Sequence, residues 1–197
     1  MSYYFSNDKT LKSEIQEKKV IINNTPFSFY TDNGVFSKKG LDFGTRSLLE
    51  SIPILSGDIL DLGCGYGPIG IYIAKITTSN VDMIDVNERS IDLAKKNAKL
   101  NNVKANIFVS NGYSNITKKY DYIVTNPPIR VGKKILYNLL FEARNYLKEN
   151  GKLYLVVSKD QGAKSLLEDL KEEYEVKLLN KNKGFYIIEA INSLQNN

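Results

Sequence analysis

The segment Asn126-Pro127-Pro128 follows a run of strand-forming residues and places one amide side chain directly before two prolines. A proline has a fixed φ and no backbone N–H, so the run cannot continue as a strand inside a sheet. The carbonyl of an asparagine side chain and a nearby backbone carbonyl can accept both N–H groups of one amine or amide nitrogen. The motif therefore has the groups to hold such a nitrogen in one orientation, and whether it does so depends on the rest of the site. If the motif has no chemical role, it only terminates the strand.

A glycine-rich segment, residues 61–70 (DLGCGYGPIG), is the second stretch that could bind a reactive ligand. Gly63, Gly65 and Gly67 come directly after a predicted strand, and glycine allows positive φ and close approach of the backbone to a ligand. Asp85 ends the next predicted strand, 20 residues after Gly65, where a carboxylate can accept hydrogen bonds from two ribose hydroxyls. Together these residues predict a site for a ligand that contains a nucleoside.

Asp61 indicates which kind of ligand this loop binds. A dinucleotide site places a pyrophosphate against the N-terminus of the following helix, and a carboxylate beside it would repel that anion. A carboxylate suits a cationic ligand instead, such as one with a sulfonium and an ammonium group. The alternative is that Asp61 only caps the turn at the end of the strand.

In most of the chain, the elements that must position these residues alternate between strands and helices. Pro68 is expected at the first position of one helix, where its missing N–H costs nothing, and Asn87 is predicted to cap the next. A third helix is predicted over residues 135–147, with Gly151 as its stop signal. Such alternation predicts an α/β fold, with a mostly parallel sheet, helices on both faces and a closing antiparallel C-terminal hairpin. The seven predicted strands are residues 58–63, 80–86, 105–110, 120–126, 152–158, 174–180 and 184–191.

The composition of the chain excludes several functional classes. There is no histidine and one cysteine, Cys64, which excludes a Ser-His-Asp hydrolase, a histidine-ligated zinc site and an internal disulfide; we predict no metal. The net charge of +5 is compatible with an anionic partner such as nucleic acid, and equally with an ordinary lysine-rich surface. No signal-peptide pattern and no apolar run of ~20 residues is present, which predicts a cytoplasmic protein without a membrane partner.

The segments DLGCGYGPIG and NPPI together resemble the S-adenosylmethionine-dependent methyltransferases, specifically the small-domain family that includes bacterial 16S ribosomal RNA guanine-N2 methyltransferases. The upstream segment GVFSKKGLDFGTRSLL is similar to a part of those enzymes that closes over the ligand. The resemblance covers residues 35–190 and implies a Rossmann-like class I fold with S-adenosyl-L-methionine as cofactor. We expect residues 1–50 to form an N-terminal hairpin and lid extension, and residues 51–197 the methyltransferase domain, as one compact unit.

The resemblance also implies roles for individual residues. The glycine loop would pass under the methionine portion of the cofactor, Asp61 would face its ammonium group and Asp85 would hold its ribose. Asn111 follows the third strand, where relatives often hold the adenine with a polar side chain, although Asn-Gly is also an ordinary turn. The predicted cofactor-binding residues are therefore Asp61, Gly63, Gly65, Gly67, Asp85, Asn111 and Thr45, and the predicted catalytic residues are Asn126, Pro127 and Pro128.

Ile129 departs from the pattern of many relatives. Those that methylate adenine or glutamine nitrogens carry an aromatic residue after the prolines, which stacks on the flat acceptor, so the departure favours the ribosomal guanine group. Phe36 could supply the missing stacking surface or could simply pack. We predict Phe36, Ile129 and Arg130 as substrate-binding residues. Basic residues near the predicted site either contact phosphates or form ordinary surface charge: Lys38, Lys39, Arg46, Arg130, Lys133 and Lys134.

We therefore expect an S-adenosylmethionine-dependent N-methyltransferase that modifies the exocyclic N2 of a guanine in 16S ribosomal RNA, with ribosomal RNA or the small ribosomal subunit as its partner. The alternatives are methylation of a protein glutamine, an adenine or a small molecule, and a non-catalytic RNA- or nucleotide-binding module. Asp61 disfavours an NAD-dependent dehydrogenase. The larger guanine-N2 enzymes carry a second, degenerate copy of the domain. The sequence contains one copy, which leaves the mode of RNA recognition and the oligomeric state open.

Overall fold

The computed structural model describes residues 12–35, 37, 40–127 and 132–193. In chain order, its strands and helices are β1 (Gln16–Ile22), β2 (Thr25–Thr31), α1 (Phe43–Ser51), β3 (Asp58–Leu62), α2 (Pro68–Ile76), β4 (Asn80–Asp85), α3 (Glu88–Leu100), β5 (Asn106–Val109), β6 (Tyr120–Thr125), α4 (Lys133–Glu142), β7 (Leu147–Ser158), α5 (Ala163–Leu170), β8 (Glu175–Asn182) and β9 (Phe185–Ile191). Short 3₁₀ turns precede and follow β7. Among the helices of the described residues, none combines the length and apolarity that crossing a bilayer requires.

Seven strands form the central sheet, in the order β5-β4-β3-β6-β7-β9-β8. The first five strands in this order run parallel to one another, whereas β9 is antiparallel to both β7 and β8. The turn between β8 and β9 consists of Lys183 and Gly184, both with positive φ, as a two-residue hairpin requires. The predicted α/β fold, with a mostly parallel seven-stranded sheet and an antiparallel C-terminal hairpin, is therefore confirmed.

Two hydrophobic cores lie on opposite faces of this sheet. Successive residues of β7 alternate between them, because Leu153 and Leu155 belong to one core and Tyr154 and Val156 to the other. One core packs the β1–β2 hairpin and helices α1, α2 and α3 against the sheet, and the other packs α4 and α5. Since both faces are covered, a ligand has access to the sheet mainly at the strand ends.

The helices that follow β3 and β4 begin where the sequence predicts. Pro68 is the first residue of α2 and follows Gly67, whose φ is +100°. Asn87 caps α3, because its side-chain oxygen accepts hydrogen bonds from the backbone N–H groups of Arg89 and Ser90 at 2.9 and 3.2 Å. Each helix starts within a few residues of its strand, so both helix N-termini lie at the carboxyl edge of the sheet.

The helix predicted over residues 135–147 is shorter than expected. Helix α4 and the 3₁₀ turn after it end before Leu147, which is the first residue of β7. Leu147 packs in the same core as α4, which explains the helical spacing, but its backbone pairs with Tyr120 of β6. Gly151, the predicted stop residue, lies inside β7, where a Cβ atom would approach the backbone oxygen of Lys148 to 2.9 Å. Pairing between distant strands therefore overrides the local helical pattern here.

Strands β1 and β2 form a separate antiparallel hairpin, whose buried side chains join the core of α2 and α3. The side-chain amide of Asn97 in α3 donates to the backbone oxygen of Tyr30 at 2.9 Å and accepts from its N–H at 2.7 Å. Asn101 makes the same pair of bonds with Ser28, at 2.7 and 3.2 Å. Helix α3 thus holds β2 in the way that a neighbouring strand would. The division of the chain at residue 50 remains a prediction.

Candidate functional site

A cavity of about 610 Å³ opens at the carboxyl edge of the sheet, at the ends of β3, β4, β6 and β7. Ligands of open α/β sheets bind at this edge. It brings together most of the described residues that the sequence predicts as site residues: Thr45, Gly63, Gly65, Asp85, Asn111, Asn126 and Pro127 line the cavity. The other two, Asp61 and Gly67, do not line it. The remaining predicted residues, Phe36, Pro128, Ile129 and Arg130, lie outside the described residues, as do Lys38 and Lys39.

The three glycines of the loop serve two purposes. Gly63 and Gly65 have φ values of +72° and +55°, and a Cβ atom at either position would have no neighbour within 4 Å. Both line the cavity, so they leave an open cradle in which a ligand can approach the backbone closely. A Cβ atom at Gly67 would instead approach the side chains of Ile71 and Met83 to 2.9 Å. The first two glycines therefore fit a bound cofactor, whereas the third allows α2 to pack closely on β4.

Asp85 connects the end of β4 to the glycine loop. Its Oδ2 accepts a hydrogen bond from the backbone N–H of Gly65 at 2.9 Å, and its Oδ1 accepts one from Asn87 at 2.8 Å. Burial raises the pKa of this carboxyl group, while the backbone hydrogen bonds oppose that effect. Each carboxylate oxygen can accept a further hydrogen bond, and Asp85 lines the cavity. The carboxylate is thus placed to accept ribose hydroxyls.

Asp61 is completely buried in β3, one residue before the strand ends. Its Oδ2 accepts a hydrogen bond from the backbone N–H of Gly70 at 2.8 Å, and its Oδ1 has no hydrogen-bond partner among the described residues. Burial raises the pKa of this carboxyl group to about 7, the hydrogen bond from Gly70 opposes the rise, and the charge of Asp85 adds to it. A buried carboxylate without a counter-charge is costly. A cation in the neighbouring cavity would lower that cost, because charges are weakly screened in the interior.

The charge of the cavity lining distinguishes a cationic ligand from an anionic one. The ionisable side chains among its described residues are Asp42, Cys64, Tyr66 and Asp85, and no lysine or arginine is among them. Burial raises the pKa of the Cys64 thiol and of the Tyr66 hydroxyl, so both are neutral near pH 7. Two carboxylates therefore dominate the lining. They favour a ligand with positive charge and oppose a pyrophosphate, which disfavours NAD.

Asn126 follows β6 and directs its amide nitrogen toward the start of α1. Nδ2 donates hydrogen bonds to Oγ1 of Thr45 at 2.9 Å and to Oδ1 of Asp42 at 3.3 Å. No described residue donates a hydrogen bond to the side-chain carbonyl of Asn126, which lines the cavity with its neighbour Pro127. The acceptor oxygen that the sequence predicts is therefore available to a ligand. Thr45 also lines the cavity, but its hydroxyl is hydrogen-bonded to Asp42 and Asn126.

The end of the cavity at β4 and β5 combines apolar and polar groups. Val86, which is 37% exposed, lines it beside Ser110, Asn111 and Gly112. The side chain of Asn111 is exposed, and its backbone oxygen accepts a hydrogen bond from Ser114 at 3.2 Å within a turn. An apolar wall with one polar edge suits a flat heteroaromatic ring such as adenine. The sequence pointed to Asn111 at this end of the cavity, but not to Val86.

The opposite end of the cavity contains residues that sequence reasoning missed. Phe43, Phe185, Ser158 and Gln161 line it on the side of β7 and β9, beyond Asn126. The rings of Phe43 and Phe185 lie 5.7 Å apart at an angle of 50°. Phe185 reaches this edge because β9 is antiparallel to β7, which pairs Phe185 with Ser158. Apart from the aromatic character of the two phenylalanines, no local signal marks these positions.

The fold and the site together define a class I methyltransferase that uses S-adenosyl-L-methionine. The model of the methyltransferase small domain family matches residues 26–189, so the chain belongs to this family. The open glycine cradle, the acidic lining and the position of Asp85 fit this cationic nucleoside cofactor.

Proteins of several bacteria are similar to most of the chain. Uncharacterized protein YbxB of Bacillus subtilis (strain 168) is 42% identical over 195 residues, which are 95% of this chain and 97% of that protein. Ribosomal RNA small subunit methyltransferase C of Psychromonas ingrahamii is 34% identical over 176 residues, which are 86% of this chain and 50% of that protein. Among solved structures, the chain is similar to T. thermophilus 16S rRNA N2 G1207 methyltransferase (RsmC) in complex with AdoMet and guanosine, with a TM-score of 0.82 at 26% identity. The match covers 92% of this chain and 51% of that chain. The chain thus spans about half the length of the ribosomal RNA methyltransferases that it matches.

Proposed function

We propose that this methyltransferase modifies the exocyclic N2 amine of a guanine in 16S ribosomal RNA. Two kinds of relative support the substrate class: the proteins named ribosomal RNA small subunit methyltransferase C, and the solved N2-guanine methyltransferase in complex with guanosine. The observation in this chain that carries the proposal is the orientation of Asn126. Its amide N–H groups are directed at Thr45 and Asp42, which leaves its carbonyl to accept an N–H of the substrate.

In this proposal, the cofactor occupies the part of the cavity between the glycine loop and β5. S-adenosyl-L-methionine, when bound, supplies an electrophilic methyl group on a sulfonium. The backbone at Gly63 and Gly65 leaves room for its methionine portion, and Asp85 accepts its ribose hydroxyls. Asn111 and Val86 contact its adenine. Asp61 stabilises its positive charge from inside the protein, through the charge of a buried carboxylate rather than through an exposed one.

Asn126 and the backbone beside it hold the acceptor amine. The lone pair of an exocyclic amine is conjugated with its ring, so it is a poor nucleophile until it is localised. Two acceptors that draw the N–H groups out of the ring plane localise the lone pair and give it one direction. Pro127 keeps the local backbone direction fixed, because its φ cannot vary. Catalysis of this kind consists of positioning, which can contribute up to ~7–11 kcal/mol, and it does not require a histidine base.

Phe43 and Phe185 form an aromatic wall for the acceptor base. They line the cavity beyond Asn126, and Phe185 is partly exposed there. A base that is displaced from its stack in RNA recovers stacking energy on aromatic side chains, and its edge is then recognised by hydrogen bonds. Ser158 and Gln161 offer polar groups at the same end of the cavity. The chain therefore has a stacking surface even though Ile129 follows the prolines.

The hairpin turn beside this wall supplies positive charge for RNA phosphates. Lys183 places its Nζ 5.1 Å from the centre of the Phe43 ring, and Lys181 places its Nζ 4.6 Å from the centre of the Tyr186 ring. Both lysines are exposed. Lys183 thus adds a cation to the aromatic wall, whereas Tyr186 is buried in the core on the other face of the sheet, so Lys181 contributes its charge alone. This arrangement supports ribosomal RNA, free or within the small subunit, as the partner.

Incorporation of labelled methyl groups tests the substrate. Purified protein and labelled S-adenosylmethionine are incubated with ribosomal RNA, with small ribosomal subunits and with total protein, each from cells that lack this protein. We expect label in 16S ribosomal RNA, recovered after digestion as N2-methylguanosine, and much slower labelling with the Asn126→Ala variant. Label in glutamine or in an adenine nucleoside would contradict the guanine assignment. Cofactor binding without transfer to any of the three would contradict the proposal and support a small-molecule substrate or a non-catalytic binding module instead.

A further inference from the structure

Three side chains form a closed hydrogen-bonded cluster between the start of α1 and the end of β6. Asp42 is the N-cap of α1, and its Oδ1 accepts a hydrogen bond from the backbone N–H of Thr45 at 3.0 Å. Its Oδ2 accepts a hydrogen bond from the Thr45 hydroxyl at 2.6 Å. Asn126 completes the cluster, since Nδ2 donates to Thr45 Oγ1 at 2.9 Å and to Asp42 Oδ1 at 3.3 Å. The side chain of Thr45 is buried, so water does not compete for its hydroxyl.

The donor and acceptor groups of this cluster allow its hydrogen bonds to run in one direction. An ionised carboxylate only accepts hydrogen bonds, so the hydroxyl hydrogen of Thr45 points at Asp42. The oxygen of that hydroxyl then offers a lone pair to Asn126, so the Asn126 amide must donate an N–H group to it. If the Asn126 amide were rotated by half a turn, its oxygen would take the place of Nδ2, 3.3 Å from an oxygen of Asp42. Two acceptors without a hydrogen between them repel each other, so the cluster disfavours the rotated amide.

We infer that Asp42 and Thr45 are positioning residues, which keep the side-chain carbonyl of Asn126 turned toward the acceptor amine. An unrestrained asparagine amide rotates about a torsion with two broad minima. In the wrong minimum it would present N–H donors to an amine that is itself a donor. This inference rests on the proposed function of Asn126. It also changes the interpretation of Thr45, which the sequence predicts as a cofactor-binding residue.

Thr45→Val tests the inference, because it removes the hydroxyl and nearly conserves the shape of the side chain. We expect the kcat of methyl transfer to fall by ~10–100-fold, as misplaced catalytic groups cause. The Kd of S-adenosylhomocysteine, measured by calorimetry, should stay within about two-fold, since the variant leaves the glycine loop and Asp85 intact. Thr45→Ser keeps the hydroxyl and should recover most of the kcat. Ser47→Ala is the matched control, because Ser47 is a buried hydroxyl on the same helix that does not line the cavity.

Asp42→Asn is a second variant, which separates the direction of the hydrogen bonds in the cluster from the stability of α1. Asparagine caps helices about as well as aspartate does, so α1 should remain in place, as a denaturation curve can verify. An asparagine at this position can both donate and accept hydrogen bonds, and the cluster then no longer excludes the rotated Asn126 amide. We therefore expect kcat to fall with little change in cofactor Kd. A kcat equal to that of the wild type would contradict the inference.

The combined results separate this inference from the proposed role of Asn126. If Asn126→Ala keeps full activity, the proposed role of Asn126 is wrong. If Asn126→Ala loses activity and Thr45→Val keeps it, only the positioning inference is wrong. If Thr45→Val raises the cofactor Kd and leaves kcat unchanged, Thr45 is a cofactor residue and the inference is overturned. If the inference is correct, adding Thr45→Val to Asn126→Ala causes no further loss, because Thr45 acts through Asn126.

Discussion

The backbone N–H of Gly65 donates a hydrogen bond of 2.9 Å to Oδ2 of Asp85, although the two residues are 20 positions apart. Gly65 belongs to the loop after β3 and Asp85 ends β4, so one hydrogen bond joins the two parts of the cavity that we propose to bind the cofactor. This hydrogen bond fixes the carboxylate relative to the loop. A site that is already ordered loses less conformational entropy when its ligand binds.

Asp85→Ala is predicted to weaken binding of S-adenosylmethionine and S-adenosylhomocysteine by ~1–3 kcal/mol, the usual effect of removing a charged hydrogen-bond acceptor. Part of this loss comes from the ribose hydroxyls and part from the freed glycine loop. Asp85→Asn keeps the size of the side chain but places an NH2 group against the backbone N–H of Gly65 or of Asn87, so its cofactor affinity should also fall. Titration calorimetry measures the cofactor affinity of the wild type and of both variants. An unchanged affinity in Asp85→Ala would show that the ribose is held elsewhere.

The raised pKa of Asp61 predicts that cofactor affinity depends on pH. Burial raises this pKa to about 7 in the ligand-free protein, whereas a bound cation stabilises the ionised carboxylate and lowers it. Below that pH, binding must therefore release a proton, so affinity should increase as the pH rises from about 6 to about 8 and then become constant. Asp61→Asn should remove most of this dependence. Calorimetry in buffers of different ionisation enthalpy counts the released protons, and an affinity that falls with rising pH would contradict the prediction.

Tyr66 carries a buried hydroxyl for which the described residues offer no partner, and it lines the cavity. Tyr66→Phe should therefore stabilise the ligand-free protein, by ~1 kcal/mol, because it removes an unsatisfied polar group. Tyr120→Phe is the matched control and should lower the free energy of unfolding, since the Tyr120 hydroxyl donates a hydrogen bond to Asp82 at 2.7 Å. Urea unfolding of the three proteins measures both changes. If Tyr66→Phe is as destabilising as Tyr120→Phe, the Tyr66 hydroxyl has a partner in solution.

The parts of the site that the sequence predicts are those marked by unusual backbone requirements. Gly63 and Gly65 adopt positive φ, and Pro127 follows the end of a strand, so each leaves a local signal in the residue type itself. The position of Asp85 could be predicted because a run of buried strand residues ends there. Amphipathic spacing and strand alternation likewise predicted the order of elements and the sheet type.

The parts that sequence reasoning missed depend on interactions between distant segments. Asp42 and Asn126 are hydrogen-bonded although 84 positions separate them in the sequence. Phe185 lies at the cavity only because β9 runs antiparallel to β7. Neither residue type is unusual at its position, so nothing local marks it. The failed prediction at Leu147 has the same cause: its apolar spacing fits a helix, but pairing with Tyr120 decides its conformation. Local patterns therefore predicted cavity-lining residues near the glycine loop better than those near Phe43 and Phe185.

Reversal of the charges at the β8–β9 turn is predicted to weaken RNA binding without affecting the cofactor. Lys181→Glu/Lys183→Glu removes two exposed cations of this hairpin, of which Lys183 contacts the Phe43 ring, so affinity for ribosomal RNA should fall. Its dependence on salt concentration should also become less steep, by a slope of about 1 for each phosphate that the variant no longer neutralises. Lys95→Glu/Lys96→Glu is the matched control, because it reverses two exposed lysines on α3 that do not line the cavity. Filter binding at several salt concentrations compares the variants, and equal losses in both would mean that only net charge matters.

Asn126→Ala should lower kcat by ~10²-fold or more and leave the Kd of the cofactor nearly unchanged. The reason is that Asn126 belongs to the acceptor half of the cavity, and an interaction that strengthens in the transition state affects kcat rather than binding. Labelled methyl transfer under saturating conditions gives kcat, and calorimetry gives Kd. The variant must unfold like the wild type, because the Asn126 amide also connects β6 to α1. Full activity in this variant would mean that Asn-Pro-Pro only terminates β6.

Asn126→Asp is the sharper test, because it keeps an acceptor oxygen and removes both N–H donors. The new carboxylate would lie where Nδ2 now lies, 3.3 Å from Oδ1 of Asp42. Two carboxylates at that distance do not both ionise readily, so the pair takes up one proton with a raised apparent pKa. The shared proton restores a donor at the position of the lost N–H. We therefore expect activity between those of Asn126→Ala and the wild type, with a ratio to wild-type activity that rises as the pH falls. A ratio that stays constant with pH would show that Asp42 does not orient the side chain at position 126.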